Sequence, residues 1–423
     1  MPRPRRDAAP RKARGSQGPR RLAVWRLAAP LVAAVAFLGA WTLIHHGWWR
    51  GLRISDTPVY ERYGDAIVRG EVPYRDFDLE YPPGSLPAFL APELTAPSDD
   101  QAAYDRAFDR WMAGCGVATT LLLGLALAVL RASAVRTGIA LAVVAASPVL
   151  LGTVVQSRFD LWPAALTAGT AAALLSGRDR LGAGLLGAAI AVKLYAVVLV
   201  PLALVWVWRR GGGRLAAIWT AVLGAVLAAA FLPFAVLAPG GLAHSFWVQF
   251  GRPLQIESLG AAALLAGHRL VGLSVGIETT HGSQNLGGAS AAIAGTAVTV
   301  LQVGALVWVW IAFARGESTR ERLAVALAAA VVAFVAFNRV FSPQYLVWLL
   351  PLVPLVPSRA PTALLTAALL LTQAWFPKHY PALVHELSAL ESWEVVARDL
   401  VVVALFAVLA RSLAPRLRRN AIS

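Results

Sequence analysis

Apolar positions fill this chain in long blocks, and polar positions punctuate them. A membrane-spanning helix needs about 20 consecutive apolar residues, and blocks near that length recur from end to end. They predict helices at 27–46, 111–130, 138–156, 160–176, 181–193, 194–208, 215–237, 289–314, 323–338, 345–357, 361–376 and 394–411. The expected class is an all-α polytopic membrane protein with about 12 membrane helices, roughly 10–13. The two stretches flanking Lys193 are each too short to cross alone unless tilted. They predict a hairpin or a broken helix, and irregular backbone at membrane depth must line a cavity or be buried in protein.

One block breaks the pattern. "EVPYRDFDLEYPPG" (Glu71–Gly84) is dense in carboxylates and sits in the long polar segment 47–110. Upstream, "SDTPVYERYGDAIVRG" predicts an amphipathic helix, with Thr57 as N-cap, Pro58 in the first helical position and Gly70 as its stop. Val59, Tyr60, Tyr63 and Ile67 share its apolar face, and the tyrosines suit the aromatic belt of a membrane interface. A second helix near Asp99–Trp111 repeats the design with Tyr104, Phe108 and Trp111. "EYPPG" between them is held extended, because each residue before a proline is pushed out of the helical region. The segment is expected to be two interfacial helices joined by a rigid turn.

Charge orients the helices. The chain has 423 residues, 58% hydrophobic and 14% charged, with a net charge of +15. That charge sits in an N-terminal arm, residues 1–26, and in short loops, so it points to anionic lipid head groups and not to nucleic acid. No signal-peptide cleavage site follows the first apolar run, so Leu27–His46 is expected to be a retained signal-anchor. Threading from a cytoplasmic N-terminus puts 24 Lys and Arg against 4 Asp and Glu on the inner side, and 14 against 19 on the outer side. Both termini are therefore expected in the cytoplasm, and 47–110, with twelve acids, outside. The expected organisation is a disordered basic arm (1–26), a membrane domain (27–411) and a basic tail (412–423). Cys115 is the single cysteine, which excludes a disulfide framework. Lysine occurs only at 12, 193 and 378 while arginine abounds, a bias that, with the alanine richness, suggests a GC-rich bacterial genome.

Several polar groups fall where a membrane protein seldom keeps them. Asp56, just after the first span, reads equally as a helix-cap carboxylate or as a carboxylate at the mouth of a membrane cavity. "DFD" (Asp76–Asp78) resembles the metal–nucleotide signature of soluble glycosyltransferases, but no nucleotide-binding domain surrounds it. Arg158 and Asp160 in "QSRFDLWP" cap an outer hairpin, with a mutual ion pair as the simple reading. Lys193 in "GAAIAVKLYAVV" is flanked by apolar residues; snorkelling is its simple reading. In "FNRVFSPQYLVW", interface anchoring accounts for Tyr345 and Trp348 but less well for Arg339 with Gln344. Arg158, Lys193 and Arg339 thus crown three helix pairs and face the acidic segment, as cations for a lipid phosphate would.

These motifs, "DTPVYERYGDAIVRGEVPYRDFDLEYPPG", "QSRFDLWPA", "VKLYAVVLVPL" and "NRVFSPQYLVWLLPL", resemble bacterial membrane glycosyltransferases of the GT-C superfamily, family 87. That family includes polyprenyl-phosphate-mannose-dependent α-mannosyltransferases of actinobacteria. The resemblance spans about 25–400. It implies a GT-C fold, an extracytoplasmic active site under the first loop at a bacterial plasma membrane, a polyprenyl-phosphate sugar donor, and a glycolipid or glycan acceptor. It implies no metal or other cofactor, and it places the general base at Asp56 by position. The expected substrate-binding residues are Asp78, Glu80, Tyr81, Arg158, Asp160, Lys193, Asn338, Arg339, Gln344 and Tyr345. Asn338–Arg339 stands where relatives often carry histidine or asparagine before a basic residue, so which group meets the donor phosphate stays open. Two other readings stay open: a secondary transporter, which the helix count suits but the lack of an internal hydropathy repeat disfavours, and a flippase or polymerase of lipid-linked glycans, which would share the outer acidic loop.

Overall fold

The computed structural model describes residues 19–49, 51, 54–96 and 100–414. The basic arm up to residue 18, the start of the second loop helix at Asp99, and the tail from 415 lie outside the described residues. The α-helices are α1 (Pro19–Leu43), α2 (Thr57–Val68), α3 (Leu86–Glu93), α4 (Gln101–Val129), α5 (Ala134–Leu151), α6 (Val154–Ser157), α7 (Leu161–Leu175), α8 (Asp179–Val192), α9 (Val200–Leu237), α10 (Pro239–Phe250), α11 (Leu259–Val271), α12 (Gly288–Arg315), α13 (Arg320–Ala336), α14 (Arg359–Trp375), α15 (Tyr380–Glu386) and α16 (Ala389–Leu413). Three short strands, β1 (Leu254–Gln255), β2 (Gly276–Thr280) and β3 (Ser283–Gly287), pair antiparallel in the order β1-β3-β2.

Among the described residues four helical stretches are long and apolar enough to cross a membrane: Gln101–Val129, Ala134–Leu151, Leu194–Leu237, which is interrupted at Gly212 (φ 69°), and Gly288–Arg315. Ala28–Leu43, Leu161–Leu175, Leu259–Val271 and Pro343–Leu355 are apolar but shorter. Large apolar side chains face outward on α1, α9 and α12, among them Val32, Leu232 and Val300 at 60–67% exposure. A protein in water would bury such side chains; hydrocarbon solvates them. At the centre stand α7 and α13, whose side chains are almost all buried. Both are rich in alanine, and small residues let neighbouring helix backbones close in.

Four expectations are corrected. The second loop helix and the following span are one helix, α4, capped by Asp100, whose carboxylate accepts from Ala103 N at 3.0 Å. The helix that follows the proline turn is instead α3. The tyrosines of α2 do not sit in an interface belt: Tyr60 is 1% exposed and packs on Phe89, Phe108 and Phe159 at centroid distances of 4.8–5.5 Å. The expected helix 345–357 is two buried 3-10 turns, Pro343–Leu349 and Val353–Leu355. The stretch between the predicted helices 215–237 and 289–314 is no plain loop but carries α10, α11 and the sheet.

Two features set the site. The helix around Lys193 is broken: α8 ends at Val192, Lys193 is extended (φ −157°, ψ 125°), and a 3-10 turn, Leu194–Leu199, leads into α9. The proline turn lies on that break. A Cβ on Gly84 would stand 2.6–2.8 Å from the Ala191 carbonyl and Val192 N, so only glycine allows the approach.

Candidate active site

Ten of the eleven candidate residues line one cavity of about 1030 Å³. Asp56, Glu80 and Tyr81 come from the polar segment; Arg158 and Asp160 from the turn before α7; Lys193 from the helix break; Asn338, Arg339, Gln344 and Tyr345 from the turn after α13. Asp78 does not line it. It is exposed, and its neighbour Asp76 is held by Arg75 at 2.8 Å.

Asp56 occupies the N-cap position of α2, one residue before the expected Thr57, yet its side chain makes no cap hydrogen bond. The carboxylate turns to Arg158 instead, with Nε to Oδ2 at 2.9 Å. Tyr60 also donates its hydroxyl to Oδ2, at 3.4 Å. The other oxygen, Oδ1, has no hydrogen-bond partner among the described residues. Arg158 is fixed in turn by the Ile54 and Ser157 carbonyls, at 3.0 and 3.1 Å. Burial raises the Asp56 pKa above the usual aspartate range, although Arg158 and Lys193 pull the other way. A half-buried carboxylate with one anchored and one open oxygen is suited to accept a proton.

Arg158 and Asp160 do not pair with each other. Asp160, 1% exposed, takes Lys193 Nζ at 2.6 Å and the Trp348 indole N–H at 2.6 Å, both on Oδ1. The Lys193 ammonium also lies over the Phe159 ring at 4.5 Å and the Trp348 ring at 5.3 Å. Lys193 is thus a paired, aromatic-caged cation and not a snorkelling one. Trp348 is 2% exposed and stacked between Tyr195 (4.3 Å) and Tyr345 (4.0 Å), which replaces the interface-anchor reading of Tyr345 and Trp348. The Asn338 side chain accepts from Val340 N at 2.9 Å and shapes the turn that carries Arg339. Arg339 donates to Thr299 Oγ1 at 3.2–3.3 Å and has no carboxylate partner among the described residues.

Sequence reasoning missed Arg252, Gln255 and Glu257, which line the same cavity from the end of α10 to the start of α11. "GRPLQIE" held the signal: charged residues amid apolar flanks, the cue that singled out Lys193. Gln255 ties this segment to the turn after α13, through its N–H to the Arg339 carbonyl (3.0 Å) and its amide to Ser342 Oγ (2.9 Å). Among the described residues no group of three or more His, Cys, Asp or Glu could hold a metal ion.

Comparison with known families places this cavity. The profile of glycosyltransferase family 87 matches residues 79–343, which hold the cavity residues from Glu80 to Arg339. The profile described as mannosyltransferase (PIG-M) matches residues 280–410. Asp56 precedes both matched ranges. No curated protein matches the chain. With the family matched over more than half its length, and with apolar helices fit to cross a bilayer, the chain is a membrane glycosyltransferase and belongs to glycosyltransferase family 87.

Proposed function

We propose that the protein moves a sugar, mannose, from a polyprenyl-phosphate donor to a hydroxyl of a glycolipid or cell-envelope glycan, at the outer face of a bacterial plasma membrane. The observation that carries this is the Asp56 carboxylate: at the cavity wall, anchored by Arg158, with no partner at Oδ1 among the described residues, and not spent on capping α2. Asp56 takes the acceptor proton as the acceptor oxygen attacks the anomeric carbon. The bond to the phosphate oxygen breaks, its electron pair leaves with the phosphate, and the configuration inverts. Lys193 and Arg339 face the same space and stabilise the departing negative charge. The Tyr195–Trp348–Tyr345 stack gives the sugar an aromatic floor. A cavity of about 1030 Å³ has room for a sugar phosphate and an acceptor head group together.

The same reading puts both termini inside, residues 47–110 outside as the roof of the site, and 27–411 as the membrane domain. The mannosyl choice rests on the second profile match. The test is incubation of the purified protein with polyprenyl-phosphate [¹⁴C]mannose and a membrane glycolipid extract. Label should move to a glycolipid. Uptake of the intact lipid-linked sugar into liposomes without transfer would turn the assignment to a flippase.

A further inference from the structure

The four cations that line the cavity are not equivalent. Arg158 is committed to Asp56 at 2.9 Å and Lys193 to Asp160 at 2.6 Å. Among the described residues Arg252 and Arg339 have no carboxylate within ion-pair distance. Arg339 at least spends donors on Thr299 and on the Arg252 carbonyl. The Nε of Arg252 is buried with no hydrogen-bond partner among the described residues. Near it on the same segment, Glu257 is 1% exposed, and its Oε2 is likewise buried without a partner. A buried donor and a buried acceptor left unmade cost free energy that a bound ligand can recover.

The segment is also held rigid from behind. Arg398, fully buried on α16, donates from Nη2 to the Glu257 carbonyl at 2.5 Å, pairs with Asp399 at 2.7 Å and covers the Phe341 ring at 3.8 Å. One side chain therefore fixes both the Arg252–Glu257 segment and the turn that carries Arg339. A site with unspent polar groups on an anchored backbone is preorganised for a ligand.

We propose that Arg252 and Glu257 form a phosphate-ester subsite, in which Arg252 gives charge-assisted hydrogen bonds to one phosphate oxygen and Glu257, bearing its proton, donates a further one. The proposal rests on the glycosyl-transfer reading above and adds the residues that seize the phosphate. A phosphate ester reaches the cavity from either substrate: the polyprenyl-phosphate donor, or an acceptor glycolipid whose head group carries a phosphodiester. The protonation of Glu257 agrees with its surroundings. Arg398 and Asp399 face it from α16, Arg252 from its own segment, Arg158 from the turn before α7, and Tyr345 and Tyr380 also lie within its field. Burial outweighs the arginines and pushes its carboxyl up to about 8.

The probe is sugar-free polyprenyl phosphate, titrated onto the protein in nanodiscs, with transfer kinetics measured alongside on a phosphate-bearing and a neutral glycolipid acceptor. If the donor is the source, Arg252→Gln weakens polyprenyl phosphate binding about tenfold to a hundredfold, and Arg252→Lys recovers part of it. If the acceptor is the source, that binding is unchanged and KM rises for the phosphate-bearing acceptor alone. Unchanged binding together with unchanged KM for both acceptors overturns the subsite. Glu257→Gln, which keeps a donor, should bind as the wild type does, while Glu257→Leu should lose affinity for the same phosphate. A dead Glu257→Gln beside a normal Glu257→Leu overturns the role of Glu257. Wild-type affinity should fall as pH rises through about 8, where Glu257 loses its proton, and Glu257→Gln should remove that fall. Binding needs no turnover, so Asp56→Asn separates the two readings: it should bind phosphate normally while failing to transfer.

Discussion

Asp56 is the residue on which the proposed chemistry turns. Asn caps helices about as well as Asp, and Asp56 makes no cap bond in any case. Asp56→Asn should therefore fold normally and lose about 10²–10⁴-fold in turnover, the usual cost of removing a general base. A variant of normal thermal stability that keeps more than about a tenth of wild-type turnover excludes the role. The base works only when ionised, and burial raises its pKa. Wild-type activity should thus fall on acidification at a pH above the usual aspartate range. Lys193 offers a separate test. Lys193→Met strands the buried Asp160 carboxylate, and breaking a buried pair typically costs about 3–5 kcal/mol. Adding Asp160→Asn should restore most of the thermal stability without restoring activity. If the double variant regains turnover, Lys193 serves only to neutralise Asp160. At this scale the sequence was informative where a charge stood alone among apolar neighbours, as with Lys193 and Arg339. It failed where pairing was concerned. Spacing suggested Arg158 with Asp160, but a tertiary fold offered each a better partner from a distant element.

Among the elements, the proline turn shows how local sequence becomes site geometry. The prolines keep residues 81 and 82 out of a helix, and Gly84, in the 3-10 turn Pro83–Ser85 that follows, lets the backbone rest on the end of α8 beside Lys193. Gly84→Ala would push a methyl group into the Ala191 carbonyl. Overpacking of this kind costs about 1–3 kcal/mol, and here it should also move Tyr81 and Glu80 off the cavity wall, so turnover should fall with stability. Gly224→Ala, inside α9 with no tertiary neighbour within 4 Å of the new Cβ, serves as the control: turnover should not change and stability should not fall. A Gly84→Ala protein as stable and active as the control removes the close approach from the account. Helix positions were legible from apolar blocks because lipid-facing helices must be apolar along their length. The 3-10 turns at 343–355 were not, because a buried turn and a buried helix have the same composition. The sheet of the 254–287 segment was missed for the same kind of reason: β2 is mostly exposed and lacks the alternation that marks a half-buried strand.

On the whole-molecule scale, charge and site geometry make one claim about orientation. The polar segment, the helix break and the turn after α13 converge on one cavity, and the proposed orientation, which rests on the charge bias, puts that end outside. Thr95 is exposed just after α3 in the polar segment, and Ser412 is exposed near the end of α16. In a Cys115→Ala background, a membrane-impermeant thiol reagent added to intact cells should label Thr95→Cys and spare Ser412→Cys. The reverse result inverts the protein and moves the chemistry to the cytoplasm. The class of the fold and the crowding of polar groups at one end were readable in the sequence. The cavity itself was not, because its walls come from segments as far apart as Asp56 and Tyr380.

The cavity lining has a further consequence for the reaction cycle. Asp56, Glu80, Asp160 and Glu257 stand against Arg158, Lys193, Arg252 and Arg339, so the walls are electrically even when every group is ionised. With Glu257 protonated they carry one surplus positive charge, which a phosphodiester, a monoanion, cancels. In the proposed reaction, transfer leaves a phosphomonoester, which carries up to two negative charges, and a proton on Asp56. While that proton stays, the account still balances. Once it escapes to water, one negative charge is left without a counterpart in a medium that solvates it poorly. On the proposed reaction, regeneration of the base is thereby coupled to discharge of the spent lipid, the first driving the second.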